Sequence, residues 1–176
     1  AFVVGLVICF KMSWAPVLAP VYALCEGLLL GCISAVYEKM YNGIVVQSLG
    51  LTLAVLLILL FAYKTRLIKV TDHLRAGIIA ATGAICLLYV AEMVLRGFFH
   101  YQIPVINDAT PIGIGFSLLV VFIASMNLVL DFDFIERGAE DGAPKYMEWY
   151  GAFGLLVTLI WVYLEILRLL SKMRRR

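Results

Sequence analysis

Residues 40–63 read MYNGIVVQSLGLTLAVLLILLFAY, with no charged side chain among them. A bilayer core about 30 Å thick is crossed by roughly 20 apolar residues when they form a helix, so this stretch predicts a membrane span from Met40 to Tyr63. Ala109 to Leu130 meets the same test, again without a charge. Three further stretches, Ala15 to Tyr37, Ala76 to Arg96 and Tyr150 to Leu170, are as long but carry the acids Glu26, Glu92 and Glu165. The composition agrees: 64% of the 176 residues are hydrophobic, 15% are charged and the mean hydropathy is +1.00, where a soluble domain is about half apolar and a quarter charged. The predicted class is an all-α polytopic membrane protein. With short loops, no Pro- or Ser-rich linker and no internal repeat, residues 1–176 read as a single transmembrane helical domain.

The opening AFVVGLVICF has neither a basic flank nor a small-residue cleavage site, so it reads as half of a further span and not as a signal peptide. The rest of that span is expected ahead of residue 1, which makes any helix count a lower bound. Alternation of the spans puts Lys11, the loop Lys64 to Arg75 and the loop Asp131 to Glu148 on one face. Lys64, Arg66, Lys69 and Arg75 make that face cytoplasmic by the positive-inside rule, while the tail SKMRRR on the other face points the opposite way. A re-entrant last segment and a plain exception to the rule both account for the conflict. Trp14, Tyr37, Tyr41, Trp149 and Tyr150 stand near span ends, as interfacial aromatics do. Cys9, Cys25, Cys32 and Cys86 fall inside spans without metal-ligand spacing, and His73 and His100 stand apart in different loops, so no metal site or cofactor is indicated.

The acids inside the spans are the informative residues. In ALCEGLLLGCIS, residues 23–34, Glu26 lies 11 residues after Ala15, about 16 Å along a helix and so near the bilayer midplane. A charge there costs about 2.5 to 3.5 kcal/mol on insertion scales. A cationic partner, a water-filled cavity or protonation must offset it. Ala23, Gly27, Gly31 and Ala35 recur every four residues beside it, a ridge on which a second helix can approach closely. Glu26 is therefore expected to face the bundle interior, either as a functional carboxyl or as a buried hydrogen-bonded one. Asp131 and Asp133 close their span at the cytoplasmic end, whereas Glu92 and Glu165 lie toward the opposite end. Acids at successive depths are what a cation path needs. The plainer alternatives are interfacial solvation for Asp131 and Asp133, and for Glu165 a local pair with Arg168 three residues on, which is favoured there. Asp131 follows Asn127 by one turn at the edge of the apolar run, where partial burial is expected. No nucleophile, metalloprotease or phosphate-loop constellation appears, so an enzyme is not expected.

The segments PVYALCEGLLLGCIS (20–34), ASMNLVLDFDFIERG (124–138) and APKYMEWYGAFGLLVTLIWVYLEILRLLSK (143–172) resemble the bacterial branch of the Bax-inhibitor/YccA family, the transmembrane Bax inhibitor motif proteins. The resemblance covers essentially the whole chain. It implies a seven-helix bundle with the last helix running through the middle of the others, the first helix and part of the second being absent from this sequence. It also implies a multi-pass protein of the bacterial inner membrane and a calcium leak under pH control. In that family an aspartate on the sixth helix shares a proton with one on the seventh, and a basic residue near the second helix latches the pore. By motif the first aspartate matches Asp131, while Thr158 stands where its partner would be and Lys11 is the loose match to the latch. Threonine can hydrogen-bond a carboxyl but cannot share a titrating proton with it. Glu26 is then the candidate to supply the group that Thr158 lacks. The alternative function is a non-conducting membrane subunit, or the partner of a membrane-anchored AAA protease with which some bacterial members are associated.

Overall fold

Each long helix starts and stops on a recognisable local signal. In the computed structural model, which describes residues 2–99, 106 and 108–175, the helices are α1 (Phe2–Phe10), α2 (Ala15–Met40), α3 (Ile44–Lys64), α4 (Asp72–Phe99), α5 (Pro111–Glu140) and α6 (Tyr146–Arg174). Gly43 turns the chain into α3 with φ of 80°, and the Glu38 carboxylate accepts the backbone N–H groups of Gly43 at 2.5 Å and Val45 at 3.1 Å. That places a negative group at the positive end of the helix dipole. Thr110 caps α5 by accepting the Gly113 N–H at 3.2 Å, with Pro111 next to it in the first turn, where its missing N–H costs nothing. The same helix ends in a Schellman turn: Gly142 takes φ of 65°, and the Ala143 N–H returns to the Gly138 carbonyl at 2.9 Å.

Among the described residues, five helices (α2 to α6) are long and apolar enough to cross a membrane, and α1 is an apolar helix of nine residues. The predicted spans are all present; four run further than their apolar cores suggest, while the one predicted from Met40 starts at Ile44, because Met40 ends α2 and Gly43 makes the turn. Helix α5 continues ten residues beyond Leu130, through the acids that ended the predicted span, because those acids find partners (below). His73 is exposed in the first turn of α4; His100 lies outside the described residues.

Helix α6 is the axis of the assembly. Each of the three buried apolar clusters contains its side chains: Phe153 with Ile8, Ala15, Ala19 and Tyr22; Val162 and Ile166 with Ala124, Leu128 and Phe132; Tyr163 and Leu167 with Ile44. Helices α5 and α6 are 39% buried over their apolar windows, against 11–17% for α2, α3 and α4, whose outward Leu, Val, Ile and Phe side chains face lipid. Polar contacts tie the helices together: Ser34 of α2 shares a 2.6 Å hydrogen bond with the Tyr163 hydroxyl of α6, and Asn127 of α5 donates to Thr82 of α4 at 2.8 Å. In lipid such bonds between helices supplement the packing of small side chains.

Two expectations are corrected. The ridge on α2 is not a contact within this chain: Gly27, Gly31 and Ala35 are exposed, and a Cβ at either glycine would meet nothing within 4 Å. Re-entry of the last segment is also excluded, because α6 is continuous to Arg174, whose guanidinium donates to Asn42 O at 2.7 Å and to Gln47 at 2.8 Å beside the α2–α3 turn. The tail thus ends on the face opposite the basic loop between α3 and α4.

Candidate functional site

Because α6 crosses the bundle between α2 and α5, the acids of three helices converge on it. At the end of the bundle where α5 stops, a cleft of about 1270 Å³ opens between α1, α2, α5 and α6. Glu26, Asp131 and Thr158 all line it. The Tyr22 hydroxyl, one turn before Glu26, stands within hydrogen-bonding reach of the Glu26 carboxylate. Thr158 lies against Asp131 as a hydrogen-bond partner, and Gly154, one turn earlier, leaves room beside it: a Cβ there would come 3.7 Å from Asp131 Oδ1. Asp131 Oδ2 is fully shielded from solvent and, among the described residues, is the one such side-chain oxygen or nitrogen without a hydrogen-bond partner.

Asp133 behaves differently. It is 8% exposed and held by two arginines, Arg75 of α4 and Arg137 one turn on, the latter at 3.0 Å. Beside this cluster Tyr63 donates to Glu136, which Arg66 also meets at 3.2 Å. Asp133 and Arg137 line both the main cleft and a second cavity of about 530 Å³ on the α3 side, so the ion pair is the partition between the two.

Glu165, 2% exposed, lies at the other end of α6, in a separate layer. Its Oε1 accepts from the Tyr89 hydroxyl at 2.7 Å and from Arg168 at 3.1 Å. Lys172, 3% exposed, donates to Gly113 O at 3.1 Å and Ser117 Oγ at 2.8 Å. Between Thr158 and Glu165, seven residues or about 10 Å along the helix, the interior is filled by Ala124, Leu128, Val162 and Ile166. The acids therefore do not form one continuous route. Glu26 and Asp131 share a cleft, Asp133 stands in an ion pair between it and the second cavity, and Glu165 sits beyond a packed apolar core.

Lys11 does not reach the cleft. It is exposed, with its ammonium 4.7 Å from the centre of the Trp14 ring. The cations that do line the cleft are Arg75 and Arg137. Sequence reasoning also placed Tyr150 among interfacial aromatics, whereas its ring packs inward on Phe134 at 5.9 Å and Phe153 at 6.3 Å. Lys172 belongs to the basic tail SKMRRR, and its one signal is its position a turn beyond Arg168 on the face that carries Glu165.

The family model described as Bax inhibitor 1 like matches residues 1–175. No curated protein and no solved structure matches the chain significantly. The match runs from α1 through the whole of α6 and takes in both walls of the cleft. With five membrane-spanning helices and a match of that extent, this chain belongs to the Bax inhibitor 1 like family of multi-pass membrane proteins.

Proposed function

We propose that the protein is a non-enzymatic cation leak of a bacterial inner membrane, modulated by protons, with calcium as the cation the family resemblance points to. One observation carries this: Asp131 keeps a buried oxygen without a partner on the wall of the cleft that Glu26 also lines, while Asp133 and Glu165 are each neutralised by arginine. An unpaired carboxyl in a low-dielectric wall is costly unless the site uses it. Glu26 takes the role of the second protonatable group in place of Thr158, and Asp131 and Glu26 draw a partly hydrated cation into the cleft. The test is calcium flux into dye-loaded liposomes across a pH series. Wild type should leak with a pH-dependent rate and Glu26→Gln should flatten that dependence; an unchanged profile refutes the role of Glu26.

A second function, a non-conducting subunit or the partner of a membrane protease, is favoured by the pairing of Asp133 and Glu165, since buried charges that only hold helices together would be paired in this way. Liposomes that stay tight to calcium at every pH would select it.

A further inference from the structure

The cleft carries a feature that neither proton control nor calcium passage uses. Four rings line it in an unbroken series from α2 to α5: Tyr22 stands edge-on to Phe153 with centroids 4.9 Å apart, Phe153 meets Tyr150 at 6.3 Å, and Tyr150 meets Phe134 at 5.9 Å. Gly151 and Gly154 also line the cleft. Gly154 lies next to Phe153 in sequence, and its missing side chain leaves the way open toward Asp131 Oδ1. The volume, about 1270 Å³, exceeds what a bare metal ion needs and reaches that of a drug-sized ligand, for which typical sites run from about 300 to 1,000 Å³. Five acids line the cleft against two arginines, and both arginines are engaged with Asp133.

These features decide between two kinds of cation. Calcium is held by six to eight oxygens, and among the described residues no group of three acids, histidines or cysteines is placed to hold a metal ion. An inorganic ion in such a cleft would keep most of its water and would not be retained by direct ligands. A bulky organic cation needs much less: one desolvated counter-charge, and ring faces whose quadrupoles attract a weakly hydrated positive group. Asp131, which lines the cleft and whose Oδ1 lies beside Gly154, supplies the first, and the four rings supply the second.

We propose that the cleft is a binding site for hydrophobic organic cations of the quaternary ammonium or phosphonium class, with the charge beside Asp131 and the apolar body against Tyr22, Phe153, Tyr150 and Phe134. The site does not depend on conduction, so it is tested by binding. Tetraphenylphosphonium is titrated into the detergent-solubilised full chain by calorimetry, with neutral triphenylphosphine oxide as control. Saturable one-to-one binding of the cation is expected. Asp131→Asn should weaken it by about tenfold or more, the scale of a lost charge contact in an apolar site, and Phe153→Leu by a smaller factor, with both variants checked for an unchanged elution profile. Equal binding of the neutral control, or undiminished affinity in Asp131→Asn, would mean partition into detergent or apolar surface and overturns the site. Should Asp131→Asn fail to fold, competition of tetraphenylphosphonium with a long-chain quaternary ammonium on the wild-type protein replaces it, and absence of competition overturns the site equally. A protein that binds the cation but does not leak calcium keeps the site and loses the channel; one that leaks but does not bind loses the site alone.

Discussion

Two aspartates one residue apart in the sequence have opposite partners, and their substitution should separate them. Asp133 sits between Arg75 and Arg137, so Asp133→Asn leaves two guanidinium groups without their counter-charge. Breaking a fully buried pair costs about 3–5 kcal/mol. Both arginines are partly exposed here, which lowers the expected loss to about 2 kcal/mol. Asp131 has no cation to abandon, and Asp131→Asn should change stability by less than about 1 kcal/mol in either direction. Reversible unfolding in mixed micelles measures both; equal losses would show that Asp131 is held by more than its hydrogen bond to Thr158. The sequence exposed these acids as anomalies, because a charge among apolar residues is visible at once. The local partner was visible too: Arg168, three residues on, pairs with Glu165 as expected, whereas the distant partners were not, since Arg75 lies 58 residues from Asp133 and Tyr89 lies 76 from Glu165. The aromatic series was equally hidden: its four rings come from three helices, and only Tyr150 and Phe153 share a helical face that periodicity could reveal.

At the scale of the element, the sequence announced the helices and misjudged what they touch. Apolar length reports a span reliably, because lipid forces every backbone group to be satisfied within the helix. Small-residue periodicity reports only a smooth face. On α2 that face stays open, so Gly31→Ala should shift stability by less than about 0.5 kcal/mol. Gly113 carried no such signal, yet a Cβ there would collide with the Asp108 carbonyl, and Gly113→Ala should cost about 2 kcal/mol or more by forcing the start of α5 to move. Comparable losses for the two variants in the same unfolding experiment would mean that α2 has a partner on its ridge. The orientation of α6 is testable as well. Lys172 and Arg174 are bound to α5 and to the α2–α3 turn, which fixes the tail at the end of the bundle opposite the basic loop. In a background without Cys9, Cys25, Cys32 and Cys86, a cysteine at Lys69 and one at Met173, both exposed positions, should react with a membrane-impermeant maleimide from opposite sides. Labelling of both from one side would contradict a continuous α6.

Across the whole molecule, the charged layers are separated by packed hydrocarbon, and that arrangement determines what conduction requires. The Glu26 and Asp131 cleft stops at Leu128, Ala124 and Val162, and the Glu165 layer begins on the far side of them. A cation in the cleft therefore faces about 10 Å of dry interior along α6, and a constriction of this kind gates by excluding water. If the protein leaks, wetting this core must be the slow step, and neutralising acids at either end should matter less than making the core polar. Val162, which is fully buried, tests this with little change of shape. Val162→Thr places a hydroxyl in the constriction at a stability cost of about 1–2 kcal/mol, and calcium entry into dye-loaded liposomes should rise several-fold at fixed pH. Val162→Ile, which adds a methylene to the same position, should leave the membrane as tight as wild type or tighter. If Val162→Thr folds, inserts and stays tight, the dry core is structural, and the paired acids on either side of it then have the role expected of a non-conducting subunit.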